Sequence, residues 1–130
     1  LMVIDTSAIL AIFLDEPEAA DFEQRIVADP VRLISAATLL EAAIVIEARL
    51  GDAGGREFDL WLHRLDAETV PVDAEQADMA RRAWRRFGKG RHPAGLNYGD
   101  CFAYALAATR SEPLLFSGDD FSRTDLTAGL

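Results

Sequence analysis

Short apolar runs alternate along the chain with longer segments whose apolar residues recur every three or four positions. Met2 to Ile4 reads as a buried strand closed by Asp5, and Ser7 to Leu14 carries helical spacing, so the chain turns from strand to helix at Asp5-Thr6-Ser7. Pro17 suits a first helical position, and Ala20, Phe22, Ile26 and Val27 continue an amphipathic helix that must stop before Pro30. Leu33-Ile34 forms a second strand. Ser35 is placed to cap a long helix over Ala36 to Leu50, ended by Arg49 and Gly51. A glycine turn at Gly54-Gly55 leads into a further helix over Phe58 to Leu65. A third strand spans Thr69 to Val72, and Asp73 with Gln76 three residues on approaches a capping box for a helix that runs to Phe87 and stops at Gly88. After the loop Lys89 to Leu96, Asn97 caps a helix over Tyr98 to Thr109. Pro113 precedes a fourth strand, Leu114 to Ser117, and Gly118-Asp119-Asp120-Phe121 turns out of it. Strands alternating with helices predict an α/β fold of three layers, α/β/α, with a mostly parallel sheet covered on both faces.

At 130 residues, half of them hydrophobic, the chain builds one core, and a single domain over residues 2–130 is expected. The longest apolar stretches, Ala8 to Leu14 and Ala42 to Ile46, are far too short to cross a membrane, and nothing resembles a signal peptide, so a cytoplasmic protein is expected. The single cysteine, Cys101, has no partner for a disulfide or a zinc site and reads as a small buried hydrophobe. Trp61 and Trp84 read as core or interface anchors.

The net charge of −9 argues against nucleic acid as a partner until its distribution is considered. Arg81, Arg82, Arg85, Arg86, Lys89 and Arg91 fall together, and from Met79 through Gly99 there is no acid; the remainder holds seven basic residues against 22 acids. Such a run is either a solvated helix face or a grip for an anionic ligand.

The acids gain meaning from the fold. In an open parallel sheet, ligands bind beyond the carboxyl ends of the strands, where the following helices begin. Asp5 ends the first strand, Asp119 and Asp120 follow the last, Asp100 sits in the first turn after Asn97, and Glu41 lies in the second turn after Ser35. Four separate segments thus deliver carboxylates to one end of the sheet. Asp5 can equally cap its helix, and Asp100 can serve its own helix dipole. Glu41 is harder to explain structurally, because its helical neighbours Ala37, Thr38, Ile44 and Val45 are mostly apolar. Glu47 lies roughly 9 Å further along the helix, away from the crevice. Converging carboxylates repel one another, and a hard divalent cation, Mg²⁺ or Mn²⁺, relieves that repulsion. His63 is expected to face solvent and His92 belongs to the basic loop, so no zinc-type cluster competes. A cation held by carboxylates with room for water is the basis of many nucleases.

Val3-Ile-Asp-Thr-Ser7, Glu41, Gly95-Leu-Asn-Tyr-Gly-Asp-Cys-Phe102 and Pro113-Leu-Leu-Phe-Ser-Gly-Asp-Asp-Phe121 together resemble the PIN-domain family, and more narrowly its VapC toxins. The resemblance runs from Met2 to about Asp125. It implies a parallel sheet of four or five strands, a homodimer, and an endoribonuclease that depends on Mg²⁺ or Mn²⁺. It further implies a small VapB-like antitoxin whose carboxy-terminal part occupies the active-site groove. By the same resemblance Asp5 and Asp100 are direct metal ligands, Glu41 completes the cluster, and one of Asp119 and Asp120 supplies the fourth acid. The aspartate directly before the phenylalanine is the steadier feature of this subgroup, which favours Asp120. Thr6 or Ser7 would bond the phosphate or a water, Asn97 would aim Asp100, and Lys89, Arg91 and His92 would hold RNA phosphates at the groove's border.

Two other classes compete. One is a PIN-like module that binds RNA or a partner without cutting, against which the complete set of acids argues. The other is a Mg²⁺-dependent phosphatase or phosphoacceptor domain; the haloacid-dehalogenase pattern wants an aspartate two residues after the first, where this chain has Ser7. A dinucleotide enzyme would need its glycines after the first strand, whereas Gly88 and Gly90 follow a helix.

Overall fold

A computed structural model describes residues 1–126; the last part of the expected domain, 127–130, lies outside the described residues. The elements run β1 (Met2–Ile4), α1 (Thr6–Phe13), α2 (Ala19–Ala28), β2 (Arg32–Ser35), α3 (Ala36–Leu65), β3 (Glu68–Val70), α4 (Ala74–Phe87), α5 (Tyr98–Arg110) and β4 (Leu114–Leu115), followed by a single 3₁₀ turn at Phe121–Arg123. The four strands form one sheet in the order β3-β2-β1-β4, every pair parallel. Strand geometry alternates side chains between the two faces. Val3, Leu33 and Leu114 therefore join α4 and α5 in one core cluster. Met2, Ile4, Ile34 and Leu115 join α1, α2 and α3 in the other. This is the expected α/β/α sandwich with four strands.

The local departures from expectation each have a physical reason. Pro17 lies in a turn rather than at a first helical position, and α2 begins two residues later at Ala19. Ser35 stands at the start of α3 but makes no side-chain cap bond; its side chain is buried with the strand instead. The expected break between two helices is a sharp kink rather than a loop. Gly51 takes φ 69°, ψ −165°, and helical structure resumes at once. Gly54 and Gly55 are consequently helical, not a turn: they lie against Leu50 and Glu47, where a side chain would collide. Asp73 does cap α4 by accepting from the Gln76 amide at 2.9 Å. The box stays open because the Gln76 side chain is buried and donates to Thr109 Oγ1 at 2.7 Å, tying α4 to α5. β4 ends at Leu115, so Ser117 falls past the strand.

Packing places the other singled-out residues much as their types suggest. Phe13, Phe58 and Trp61 form an aromatic group with centroids 5.6–6.2 Å apart. Trp84 is 45% exposed, and the Arg91 guanidinium lies 4.6 Å over its ring. His63 is exposed. Cys101 is buried, and burial aided by the Asp100 charge pushes its thiol up to about 11, which makes it a poor nucleophile.

Candidate active site

β1 lies in the middle of the sheet, between β2 and β4, so the chain changes direction across it. That is the switch point at which an open parallel sheet forms its crevice. Asp5, at the carboxyl end of β1, is 2% exposed. One of its oxygens, Oδ2, accepts both the Ser7 amide at 3.0 Å and the Ser7 hydroxyl at 2.6 Å, so Asp5 does cap α1. Ser7 reaches further: its Oγ accepts the Ser117 amide at 2.9 Å and fastens the segment after β4 to the first turn of α1. Thr6 Oγ1 donates to Glu41 Oε1 at 2.6 Å, which draws the second turn of α3 to the same point. The three residues Asp5, Thr6 and Ser7 thus join the ends of β1, α3 and β4.

α5 contributes the third acid. Asn97 and Asp100 form a reciprocal box: the Asp100 amide donates to Asn97 Oδ1 at 2.9 Å and the Asn97 amide to Asp100 Oδ2 at 3.0 Å. Asn97 therefore fixes the start of α5 and the direction of Asp100, as its position in the sequence predicts. Beside them, Gly99 lies directly against the Glu41 carboxylate. The sequence reading did not single out Gly99. The signal available was a glycine in the first turn of a helix, where no reversal of the chain calls for one.

The electrostatics identify which acids share a field. Burial raises the Asp5 carboxyl to about 6, opposed by the bonds from Ser7 and assisted by the charge of Glu41. Asp100 is raised to about 7, first by burial and then by the charges of Asp5, Asp120 and Glu41, against the stabilising Asn97 amide. Asp120 is one of the charges that raise Asp100 most. Asp119 and Asp120 are both exposed, and the Asp119 backbone oxygen accepts the amide and hydroxyl of Ser122, holding the turn in which Phe121 is buried. Among the described residues no Lys or Arg pairs with Asp5, Glu41, Asp100 or Asp120. Four segments bring together carboxylates without a counter-charge, and all the donors are oxygen; that set suits a hard divalent cation. As the side chains stand, no three acidic, His or Cys groups among the described residues form a ready ligand cage. Each carboxylate accepts a hydrogen bond from a neighbour: Asp5 from Ser7, Asp100 from Asn97 and Glu41 from Thr6.

These raised values set a pH dependence. Between about pH 4 and pH 7, Asp5 and Asp100 bind more protons in the folded, metal-free protein than in the unfolded chain. The contribution of Asp5 and Asp100 to stability is therefore full below their unfolded value of 3.8 and is lost as pH rises through about 6 and 7. Melting temperatures measured without metal from pH 4 to 8 should fall more steeply for the wild type than for Asp100→Asn. Parallel profiles for the two proteins would contradict the assignment.

The basic loop is less uniform than its sequence. Lys89 is exposed and, with Arg81, Trp84, Asn97 and Tyr98, lines a cavity of about 770 Å³ between α4 and α5. Arg91 lies on Trp84, and its Nε donates to the Arg85 carbonyl at 3.4 Å. His92 is turned inward: its Nδ1 accepts the Ala94 amide at 3.0 Å and its ring stands edge-on to Phe87.

Comparison with known proteins agrees with this geometry. The PIN domain family matches residues 2–126. Ribonuclease VapC of Mycolicibacterium smegmatis is 61% identical over 127 residues, 98% of each chain. Ribonuclease VapC30 of Mycobacterium tuberculosis is 60% identical over 125 residues, 96% of this chain and 95% of the relative. Among solved structures, VapC20 of Mycobacterium tuberculosis, described as a sarcin-ricin loop cleaving toxin, has the same fold with a TM-score of 0.79 at 17% identity, over 98% of this chain and 97% of that chain. A parallel sheet with its acids gathered at the switch point, a family match over residues 2–126 and near-full-length identity to two VapC ribonucleases lead to one assignment: the chain belongs to the PIN-domain family, among its VapC ribonucleases.

Proposed function

We propose that this chain is the toxin of a toxin–antitoxin pair and hydrolyses phosphodiester bonds of RNA in the crevice of Asp5, Glu41, Asp100 and Asp120. One observation carries the reading: the charges of Asp5, Glu41 and Asp120, from three other segments, all raise the Asp100 carboxyl, and among the described residues no basic side chain pairs with any of the four. Asp5 and Asp100 would hold Mg²⁺ or Mn²⁺, with Glu41 and Asp120 completing the set. When bound, the cation supplies positive charge that lowers the pKa of a water and stabilises the phosphoryl oxygens in the transition state. The chain's own residues do the rest. Asn97 fixes the start of α5 and so the place of Asp100. Ser7 keeps the segment carrying Asp120 beside Asp5, and Thr6 orients Glu41. Thr6 and Ser7 are occupied by these bonds, which supports a positioning role for them ahead of direct phosphate contact.

The partners follow from the family and from the surface. Its antitoxin would be a small VapB-like protein, and a second copy of the chain would complete a homodimer. Exposed Leu40, Ile44 and Leu50 on α3, with Trp84 and Tyr98 beside the cavity, offer apolar surface for such contacts. No helix of the described residues is long and apolar enough to cross a membrane, and we place the protein's action in the cytoplasm, as one domain over residues 2–130.

The test is cleavage of a structured RNA and of a phosphomonoester, each with Mg²⁺, with Mn²⁺ and with chelator. Cleavage of RNA alone, abolished by chelation, is the expected result; release of phosphate from the monoester would indicate a phosphatase instead. For substrate grip, the basic loop Lys89, Arg91 and His92 remains the proposed border, with unequal shares. Lys89 is exposed at the cavity, whereas Arg91 and His92 are already engaged. Lys89→Ala should weaken RNA binding and reduce the slope of log affinity against log salt by about one unit. An unchanged slope would return Lys89 to the solvated surface.

A further inference from the structure

Gly99 is the second residue of α5, and its backbone does not adopt the left-handed region that demands glycine. Glycine in a helix is unfavourable relative to alanine, because it gives up the most conformational freedom on folding. Its neighbour accounts for it. A methyl group at Gly99 would lie 2.6 Å from Oε1 and 2.7 Å from Cδ of Glu41, and nearer still to Oε2. Carbon and oxygen atoms in contact need well over 3 Å. The carboxylate of Glu41 therefore fills the volume that any other residue's β-carbon would take. Thr6 Oγ1 donates to Oε1 of the same carboxylate at 2.6 Å.

We propose that Gly99 is a positioning residue for Glu41, whose carboxylate is clamped between the hydroxyl of Thr6 and the bare Cα of Gly99. The purpose of the clamp rests on the ribonuclease reading. It brings the acid of α3 to the first turn of α5, next to Asp100, so that two helices joined by no short loop present their carboxylates together. Both ends of the clamp are local sequence: Thr6 directly follows Asp5, and Gly99 directly precedes Asp100. The residues beside the two proposed ligands thus set the place of the third acid. The three atoms nearest a β-carbon at Gly99 all belong to the Glu41 side chain. A side chain there would push aside the flexible end of Glu41, so the fold survives and the site is what changes.

The experiment compares Gly99→Ala, Glu41→Ala and the double variant by melting temperature without metal. In the Glu41→Ala background, Gly99→Ala should raise the melting temperature by about 4 °C, the ordinary gain when alanine replaces a helical glycine in a domain of this size. With Glu41 present the gain should shrink or reverse, because the carboxylate is driven from Thr6. Equal gains in both backgrounds overturn the proposal. Calorimetry with Mn²⁺ and cleavage kinetics supply a readout that helix propensity alone would not move. Gly99→Ala should lower Mn²⁺ affinity roughly tenfold and reduce kcat, leaving KM for RNA within about twofold. Wild-type Mn²⁺ affinity in Gly99→Ala overturns it as well. A wild-type protein that neither binds Mn²⁺ nor cuts RNA overturns the ribonuclease reading, and the thermal comparison still reads the contact between Gly99 and Glu41.

Discussion

Asp5→Asn and Asp100→Asn should each abolish RNA cleavage and leave the metal-free protein at least as resistant to heat as the wild type. Two roles of these acids have to be separated for that expectation to hold, since Asp5 also caps α1 and the Asp100 carboxylate closes the box at the start of α5. Asparagine keeps an oxygen where Asp5 accepts from Ser7 and where Asp100 accepts from Asn97, and it is as good a cap as aspartate. What it removes is the charge. In a field where burial and neighbouring acids already hold Asp5 at about 6 and Asp100 at about 7, that removal relieves repulsion at neutral pH. Loss of a proposed metal ligand should exceed the roughly 10–100-fold loss seen when only a residue supporting a ligand is changed. Asp5→Ala then distinguishes the roles: it loses the cap as well, at about 1 kcal/mol, and should melt lower than Asp5→Asn. Cleavage assays and melts on these three variants check the whole pattern. An asparagine variant that melts well below wild type while still cutting RNA would make the acid a cap and nothing more.

Asp120→Ala is expected to lose most cleavage at limiting Mg²⁺, whereas Asp119→Ala keeps nearly all of it. The two acids are adjacent and both exposed, and Asp120 is among the charges that raise Asp100 most. Asp119 contributes through its backbone, whose carbonyl accepts from Ser122, and that contact does not depend on its side chain. Initial rates across a Mg²⁺ titration should show Asp120→Ala recovering in part as the metal saturates, since one ligand of several is missing. Wild-type rates for Asp120→Ala at every concentration, with loss in Asp119→Ala, would reverse the assignment.

The parts of this protein legible in its sequence are those fixed by local chemistry. Asn97 capping α5, Asp73 capping α4, Phe121 buried after the last strand and Asp5 closing β1 all follow from residues within four positions of one another. Even the convergence of the acids was accessible, because parallel strands all end on the same side. Features decided by contacts distant in sequence were not. Gly54 and Gly55 read as a turn by composition, and only their approach to Leu50 and Glu47 within a kinked helix explains them. Gln76 looked like half of a capping box until Thr109, 33 residues away, took its amide. Gly99 is the clearest case, since its reason lies on another helix.

The bond from the Ser117 amide to Ser7 spans 110 residues, and it has a consequence for the time at which this chain becomes active. Asp5 leaves the ribosome well before Asp120, and the segment that carries Asp120 can dock only after β4 has emerged and paired with β1. Contacts between such distant residues form late, because the intervening chain must be gathered first. A growing chain therefore carries Asp5 and Glu41 without Asp120 until β4 has been made, and the crevice closes only after the segment following β4 arrives. For a protein that acts on RNA, this order separates the making of the chain from the start of its action.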